Sequence, residues 1–250
     1  HAERNDIDIY YGKGLLPTKL YQKIQATCDW ATFIDASPGA TLGAMANLVP
    51  DHCTGMWFAL LQPGSLPRPG WLEGILSSTR AQPSAGALAL STYVGGDNGT
   101  STALAVSRWG RVLPHRGPLP QAGEHVFAVS SRAGVFSRAL MEDCGGFDPA
   151  LRAELADADL ALRGLLLGYR CVVAEQGSVD LECASLLAEE LGERSAEQVQ
   201  DWARGRVRML LGSLPRAGWE QVPAGIILEL LADLFRAARS GGHPGATFRG

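Results

Sequence analysis

The sequence is short of the features that mark several protein classes. It has five cysteines, Cys28, Cys53, Cys144, Cys171 and Cys183, an odd number with no Cys-x-x-Cys pair. Such spacing fits reduced intracellular thiols better than a disulfide framework or a zinc site. No stretch approaches the roughly 20 apolar residues of a membrane span. The opening segment HAERNDIDIYY has no signal-type apolar region. The expectation is therefore a soluble, cytoplasmic chain. An excess of basic residues is lacking too. Against 22 Lys and Arg stand 26 Asp and Glu, a net charge of −4, which argues against a nucleic-acid partner held by a basic face. The histidines have no metal-like spacing such as HxxH. There is no G-x-S-x-G, no P-loop and no internal repeat. Gly95–Gly99 reads as a flexible turn before it reads as a phosphate cradle.

What is present is a globular composition. Of 250 residues 46% are apolar and 19% charged, enough for a sizeable core without a disulfide or metal staple. Residues 7–11 read as a short strand, residues 18–30 as a helix and residues 31–34 as a second strand ending at Asp35. A small-residue helix follows over SPGATLGAMANLV. The run GMWFALL then reads as a strand covered on both faces, broken at Gln62-Pro63-Gly64. This alternation predicts an α/β fold with a mostly parallel sheet and helices on both faces. Ligands of such sheets sit beyond the carboxyl ends of the strands, here Tyr11–Lys13, Asp35–Ser37 and Gln62–Ser65.

Further on, WLEGILSSTRAQ reads as a helix, residues 85–93 as a strand, GGDNGTST as a loop and residues 109–119 as a hairpin or irregular insertion. Residues 126–131 are strand-like. SRALMEDC forms a helix stopped by Gly145-Gly146. ADADLALRGLLLGYR is another helix, followed by the strand CVVAE; the rest is helical, over residues 184–211 and 226–239. The division falls near residue 190, giving a catalytic or binding domain over 1–190 and a helical extension over 191–250. The stripe Ile226, Ile227, Leu230, Leu231, Leu234 and Phe235 suits packing on the domain or on a partner, including a second copy of the chain. The alternative is peripheral attachment to a membrane surface, which Glu229 and Asp233 oppose.

The run most suggestive of chemistry is CGGFDPALRAELADADLALRGLLLGYRCVVAE, residues 144–175. Its acids are Glu154, Asp157 and Asp159, with Asp157 at the start of the apolar-periodic helix. A carboxylate held there and facing a cleft can act as general base for a hydroxyl nucleophile. The plainer reading makes Asp157 and Asp159 simple helix-start acids.

At these residues the chain resembles the family 2 glycosyltransferases of the GT-A fold, in the manner of bacterial rhamnosyltransferases. The resemblance rests on Gly145, Gly146, Phe147, Asp148, Asp157, Asp159, Leu160, Arg163, Gly168 and Tyr169. FIDAS (33–37), the small-residue helix after it, LQPGSLPRPGWLEGIL (61–76), WGRVLPHRG and RGRVRMLLGSLP (204–215) fall in family order. The resemblance implies that Asp157 deprotonates an acceptor hydroxyl, which attacks the anomeric carbon with inversion. It implies that Asp35 contacts the nucleotide, that Tyr11 packs near the base, and that Gln62, Gly64 and Ser65 line the diphosphate of a UDP- or dTDP-linked donor.

Three departures follow from the same comparison. The family's metal-holding Asp-x-Asp is replaced by Gln62 and Gly64, the acid pair Glu-Asp by Ala156-Asp157, and the stretch VDLECAS carries no His. No resident cofactor is expected. Mg²⁺ or Mn²⁺ would find only the Gln62 amide where the family offers carboxylates. Cationic substitutes at the diphosphate are Lys13, Arg68, Arg132 and Arg163, each of which also reads as a surface charge or a structural ion pair. The alternative to a metal-independent transferase is a catalytically impaired relative of this fold, acting as a binding or scaffold partner.

Overall fold

The computed structural model describes residues 10–12, 18–27, 32–34, 40–62, 64–94, 98–107, 112–115, 119–151, 153–181, 204–209 and 212. The first strand, β1 (Tyr10–Gly12), pairs in parallel with β2 (Thr32–Ile34), with α1 (Thr18–Thr27) between them in sequence. The short helices α2 (Leu42–Ala46) and α3 (Val49–His52) lead into β3 (Trp57–Leu61). Strand–helix–strand order in this half follows the sequence expectation.

The main sheet has seven strands. Its path runs β3, β11 (Ala133–Ser137), β5 (Ala85–Val94), β12 (Arg170–Leu181), β4 (Ser65–Pro67); β6 (Asn98–Ser101) flanks β5 and β9 (His125–Val126) flanks β12. Strands β3, β5 and β12 point the same way, and β11 is inserted antiparallel between β3 and β5. A second, antiparallel sheet has the order β10 (Ala128–Val129), β7 (Ala103–Val106), β8 (Val112–Pro114).

The central strand β5 is apolar on both faces, so it divides the core. Ala87 and Ala89 join the cluster that contains Phe58, Phe136, Phe147, Leu155 and Leu160; Leu88 and Leu90 join Ile75, Val135, Val172 and Val179 on the other side. Each fully buried leucine contributes about 1.5–3 kcal/mol of burial. The first cluster is covered by α5 (Arg138–Cys144) and α6 (Ala153–Leu166), the second by α4 (Trp71–Ala81), which packs on β12.

Local chemistry explains several of these elements. The Ser137 hydroxyl caps α5 by accepting the Leu140 N–H at 3.1 Å. At the other end Gly145 lies at φ 72°, and the Gly146 N–H reaches back to the Met141 carbonyl at 2.7 Å, a Schellman closure. Along α4, Glu73 in the first turn and Arg80 in the last match the helix dipole.

Four sequence expectations change. First, β3 is covered on one face and half-covered on the other. Phe58 and Leu60 are buried, Trp57 and Leu61 border the second cluster, and Ala59 is exposed. Second, residues 98–101 of the expected GGDNGTST loop form β6, where Thr100 and Thr92 hydroxyls meet at 2.8 Å across the ladder. Third, the expected hairpin is displaced: β8 lies in it, but its partner is the upstream strand β7. Fourth, the last sheet strand runs well beyond CVVAE, with a register shift between Val173 and Ser178 where Gln176 takes φ 52°. The boundary near residue 190 and the helix over 226–239 lie outside the described residues. Residues 204–209 are helical, and Met209 belongs to the first cluster.

Candidate functional site

A turn joins β3 to β4. The Ser65 N–H donates to the Gln62 carbonyl at 3.1 Å, and Gly64 has φ 86°. A φ of this sign is one that glycine adopts without steric cost. A side chain added there would meet nothing within 4 Å. The Gln62 N–H donates to the Arg132 carbonyl at 2.7 Å, which ties the turn to the start of β11. Beside it, Ser65 Oγ is buried without a hydrogen-bond partner.

Gln62 and Arg132 also line a cavity of about 60 Å³ whose other walls include Thr92, Thr102, Ser130 and Leu181. Several of its hydroxyls already accept backbone protons. Thr102 Oγ1 takes the Leu90 N–H at 2.8 Å, and Ser130 Oγ takes the Arg132 N–H at 3.4 Å. Their own O–H protons face donor duty, which suits an oxygen-rich ligand.

Asp157 approaches this region from α6. Its Oδ2 accepts the Ser131 N–H at 3.1 Å, and the residue is only 3% exposed. Sequence reading places Asp157 at the helix start; the structure places it on the second turn. The helix begins at Ala153 because the Asp148 carboxylate accepts the Ala150 N–H at 2.9 Å and its carbonyl accepts the Leu151 N–H at 3.0 Å, so the chain is already turned. Asp159 is not on the first turn either. It pairs with Arg163, at 2.8 Å from Nε and 2.6 Å from Nη2.

The remaining cations are distributed differently. Arg163 also donates to the Cys144 carbonyl at 2.5 Å and the Gly146 carbonyl at 2.9 Å, clamping the double-glycine loop onto α6. Arg68 binds the Asp180 carboxylate through Nε at 2.8 Å and Nη2 at 2.6 Å, and stacks on the Tyr93 ring at 3.8 Å. Arg68 thereby holds the Asp180 carboxyl below the usual carboxylate range. Of the expected site residues, then, Gln62, Gly64, Ser65 and Arg132 come together, with Asp157 one backbone bond away through Ser131. Arg68 and Arg163 are engaged within the fold. The backbone of Tyr11 lies in β1, in register with Phe33. Its side chain, the side chain of Glu154, and all of Lys13 and Asp35 lie outside the described residues.

Sequence reasoning passed over Asp180, Ser130, Ser131, Thr92 and Thr102. None belongs to a motif; topology alone gathers them. The Asp180 carboxylate was the one legible signal, an acid in a β-alternating VDL run.

Two thiols near α6 are pushed upward. Burial, with Asp157 adding to it, raises Cys171 to about 12. Burial also raises Cys144, against the opposing charge of Arg163. Among the described residues no three His, Cys, Asp or Glu side chains converge as metal ligands.

No protein-family model matches this sequence, and no curated protein matches it. Solved structures do resemble it in fold. A crystal structure of GalNAc-T7 with UDP, GalNAc and Mn²⁺ matches with a TM-score of 0.57 and 10% identity, over 82% of this chain and 41% of that one. The mannosyltransferase PcManGT from Pyrobaculum calidifontis, in complex with GDP-Man and Mn²⁺, gives 0.54 and 14%, over 98% of this chain and 69% of that one. TarS 1–349 of S. aureus gives 0.54 and 11%, over 95% and 79%. This chain thus spans less than half of the GalNAc-T7 chain. The chain has the GT-A fold of these glycosyltransferases.

Proposed function

We propose that this chain transfers a sugar from a nucleotide-sugar donor to an acceptor hydroxyl. The observation that carries the reading is one connected piece of geometry. The Gln62–Ser65 turn is bonded to Arg132, and the segment Ser130–Arg132 passes directly from that turn to the Asp157 carboxylate. A group that would receive a leaving diphosphate and a group that would take a proton thus stand on the two ends of one short strand connection, at the carboxyl ends of the sheet. The structural neighbours that hold UDP or GDP-Man support the same ligand class.

In this reading the donor is UDP- or dTDP-linked, with Asp35 on the nucleotide and Tyr11 packed near its base. Gln62, Gly64 and Ser65 follow the diphosphate. Asp157, oriented by the Ser131 N–H, takes the proton of the acceptor hydroxyl as its oxygen attacks the anomeric carbon from the face opposite the leaving group. The C1–O bond to the diphosphate breaks as the new C–O bond forms, and configuration inverts. Because Asp157 is 3% exposed, the acceptor reaches it only as neighbouring side chains give way. Arg163 serves the site from behind by holding the Gly145–Phe147 loop to α6. The family 2 assignment and the docking of residues 191–250 as a separate helical extension belong to the same proposal.

The test is a transfer and hydrolysis screen over nucleotide sugars, with Asp157→Asn beside wild type. Loss of the base should lower turnover by about 10²–10⁴-fold while UDP still binds. Full activity in Asp157→Asn would remove the assigned base, and absence of both binding and turnover across the panel would remove the function.

A further inference from the structure

Helix α4 turns one face to the sheet and leaves the other exposed. Gly74, Ile75 and Ser78 are buried where the helix packs on β12. Glu73, Leu76, Ser77, Arg80 and Ala81 are exposed on the far side and line one open depression. Their spacing, i, i+3, i+4, i+7 and i+8, is that of a single helical face. At its middle Leu76 is 44% exposed.

Charge and shape on this face both fit a copy of itself. Glu73 and Arg80 stand about two turns apart, so they fall on one line along the helix. Neither is in an ion pair among the described residues. Two such helices laid antiparallel about a twofold axis that crosses between Leu76 and Ser77 set Glu73 of each against Arg80 of the other. A parallel pairing in register would set like charges together. The same antiparallel axis brings Leu76 against its counterpart, and the short side chains of Ser77 and Ala81 let the backbones approach closely. The Ser77 hydroxyl already donates to the Glu175 carboxylate at 3.2 Å, so the pairing leaves no proton of it unmet.

We propose that the outer face of α4 is a self-association surface, on which two copies of this chain pair through antiparallel α4 helices, with two reciprocal Glu73–Arg80 bridges around Leu76. The surface shares no residue with the Gln62–Asp157 region, so it stands or falls apart from the donor reading. A single helix pair is at the low end of interface size, so the association is weak and concentration-dependent. The exposed bridges add little strength each and set direction and register.

Sedimentation velocity of the full chain, from about 5 μM to about 0.5 mM, tests it. The sedimentation coefficient should rise with concentration towards that of a dimer. Arg80→Glu and Glu73→Arg each put like charges at both bridges and should weaken association about tenfold or more. Exchanging both residues together should restore it. An equimolar mixture of the two single variants should associate although neither does so alone. A chain still monomeric at about 0.5 mM, single variants that dimerise as readily as wild type, or a mixture that stays monomeric overturns the proposal. If the chain is monomeric and Leu76→Glu lowers its thermal midpoint by more than about 4 °C, the face is covered from within the same chain, which overturns it too.

Discussion

Asn47 grips the backbone of Phe147 at both polar groups. Its Nδ2 donates to the Phe147 carbonyl at 2.8 Å, and its Oδ1 accepts the Phe147 N–H at 2.8 Å, across 100 residues of sequence. A side chain on Gly146 would lie 2.4 Å from Asn47 Oδ1, so the glycine is what lets the clamp close. Phe147, held this way, packs edge-on against Phe136 with centroids 5.5 Å apart. The end of α2 is thereby fastened to the loop that leads to α6 and Asp157. Asn47→Ala leaves two backbone groups without partners and should destabilise the chain by about 2–4 kcal/mol. Urea denaturation with a shared slope for both proteins measures this; a loss below about 0.5 kcal/mol would contradict the clamp.

A backbone-to-backbone contact on the other face of the sheet gives a sharper expectation. A Cβ on Gly74 would stand 2.0 Å from the Glu175 carbonyl oxygen. Ser78 seals the same contact, its hydroxyl donating to the Gly74 carbonyl at 2.8 Å and accepting the Glu175 N–H at 2.7 Å. Gly74→Ala therefore favours helix propensity by about 1 kcal/mol and still loses, because α4 must back away from β12. The expected net loss is about 3 kcal/mol or more, at the scale of severe overpacking. Thermal unfolding of the variant settles the sign.

Acid should loosen the docking of residues 204–209. Arg208 Nε lies 2.7 Å from the Asp148 carboxylate. Partial burial works to raise Asp148, but the Ala150 N–H and Arg208 outweigh it and hold the group below its ordinary value. A depressed carboxylate stabilises the fold above its unfolded pKa, near 3.9, and that stabilisation is lost as pH falls through the folded value. Arg208→Ala should flatten the stability profile below about pH 4 and leave it parallel to wild type above pH 6. An unchanged acid limb in urea titrations across pH 2.5–6 would show that the pair carries no linkage.

Thiol chemistry should distinguish the described cysteines. Burial, reinforced by Asp157, pushes Cys171 up to about 12, so at pH 8.5 almost none of it is thiolate, the reactive form. Cys144 is raised in the same direction by burial. Brief iodoacetamide treatment of the folded chain at pH 8.5, read by peptide mass spectrometry, should modify Cys53 well ahead of Cys171. Equal labelling of the two would mean that the core around α6 opens readily.

How much of this was legible in the sequence differs from element to element. The long apolar run of β5, the acid-first, base-last helix α4, and the glycine stop after α5 all follow from local rules: side-chain period, dipole complement, and the freedom of glycine at positive φ. The left-handed Gly64 after Pro63 belongs with them. What local rules did not yield is β11. Ala-Gly-Val-Phe-Ser has weak strand propensity by itself, and it becomes a strand because it fills the slot between β3 and β5. Gly134 is required there, since a Cβ would lie 2.6 Å from the Ser130 carbonyl oxygen. The site shows the same division. The sequence determined that the turn at 62–65 lacks carboxylates and that an acid survives at Asp157. Only the tertiary structure decided that Arg68 is taken up by Asp180 and Tyr93 and Arg163 by Asp159 and two carbonyls, and that the backbone of Arg132 is bonded to the turn at Gln62, because strand order, a non-local outcome of packing, sets which residues meet.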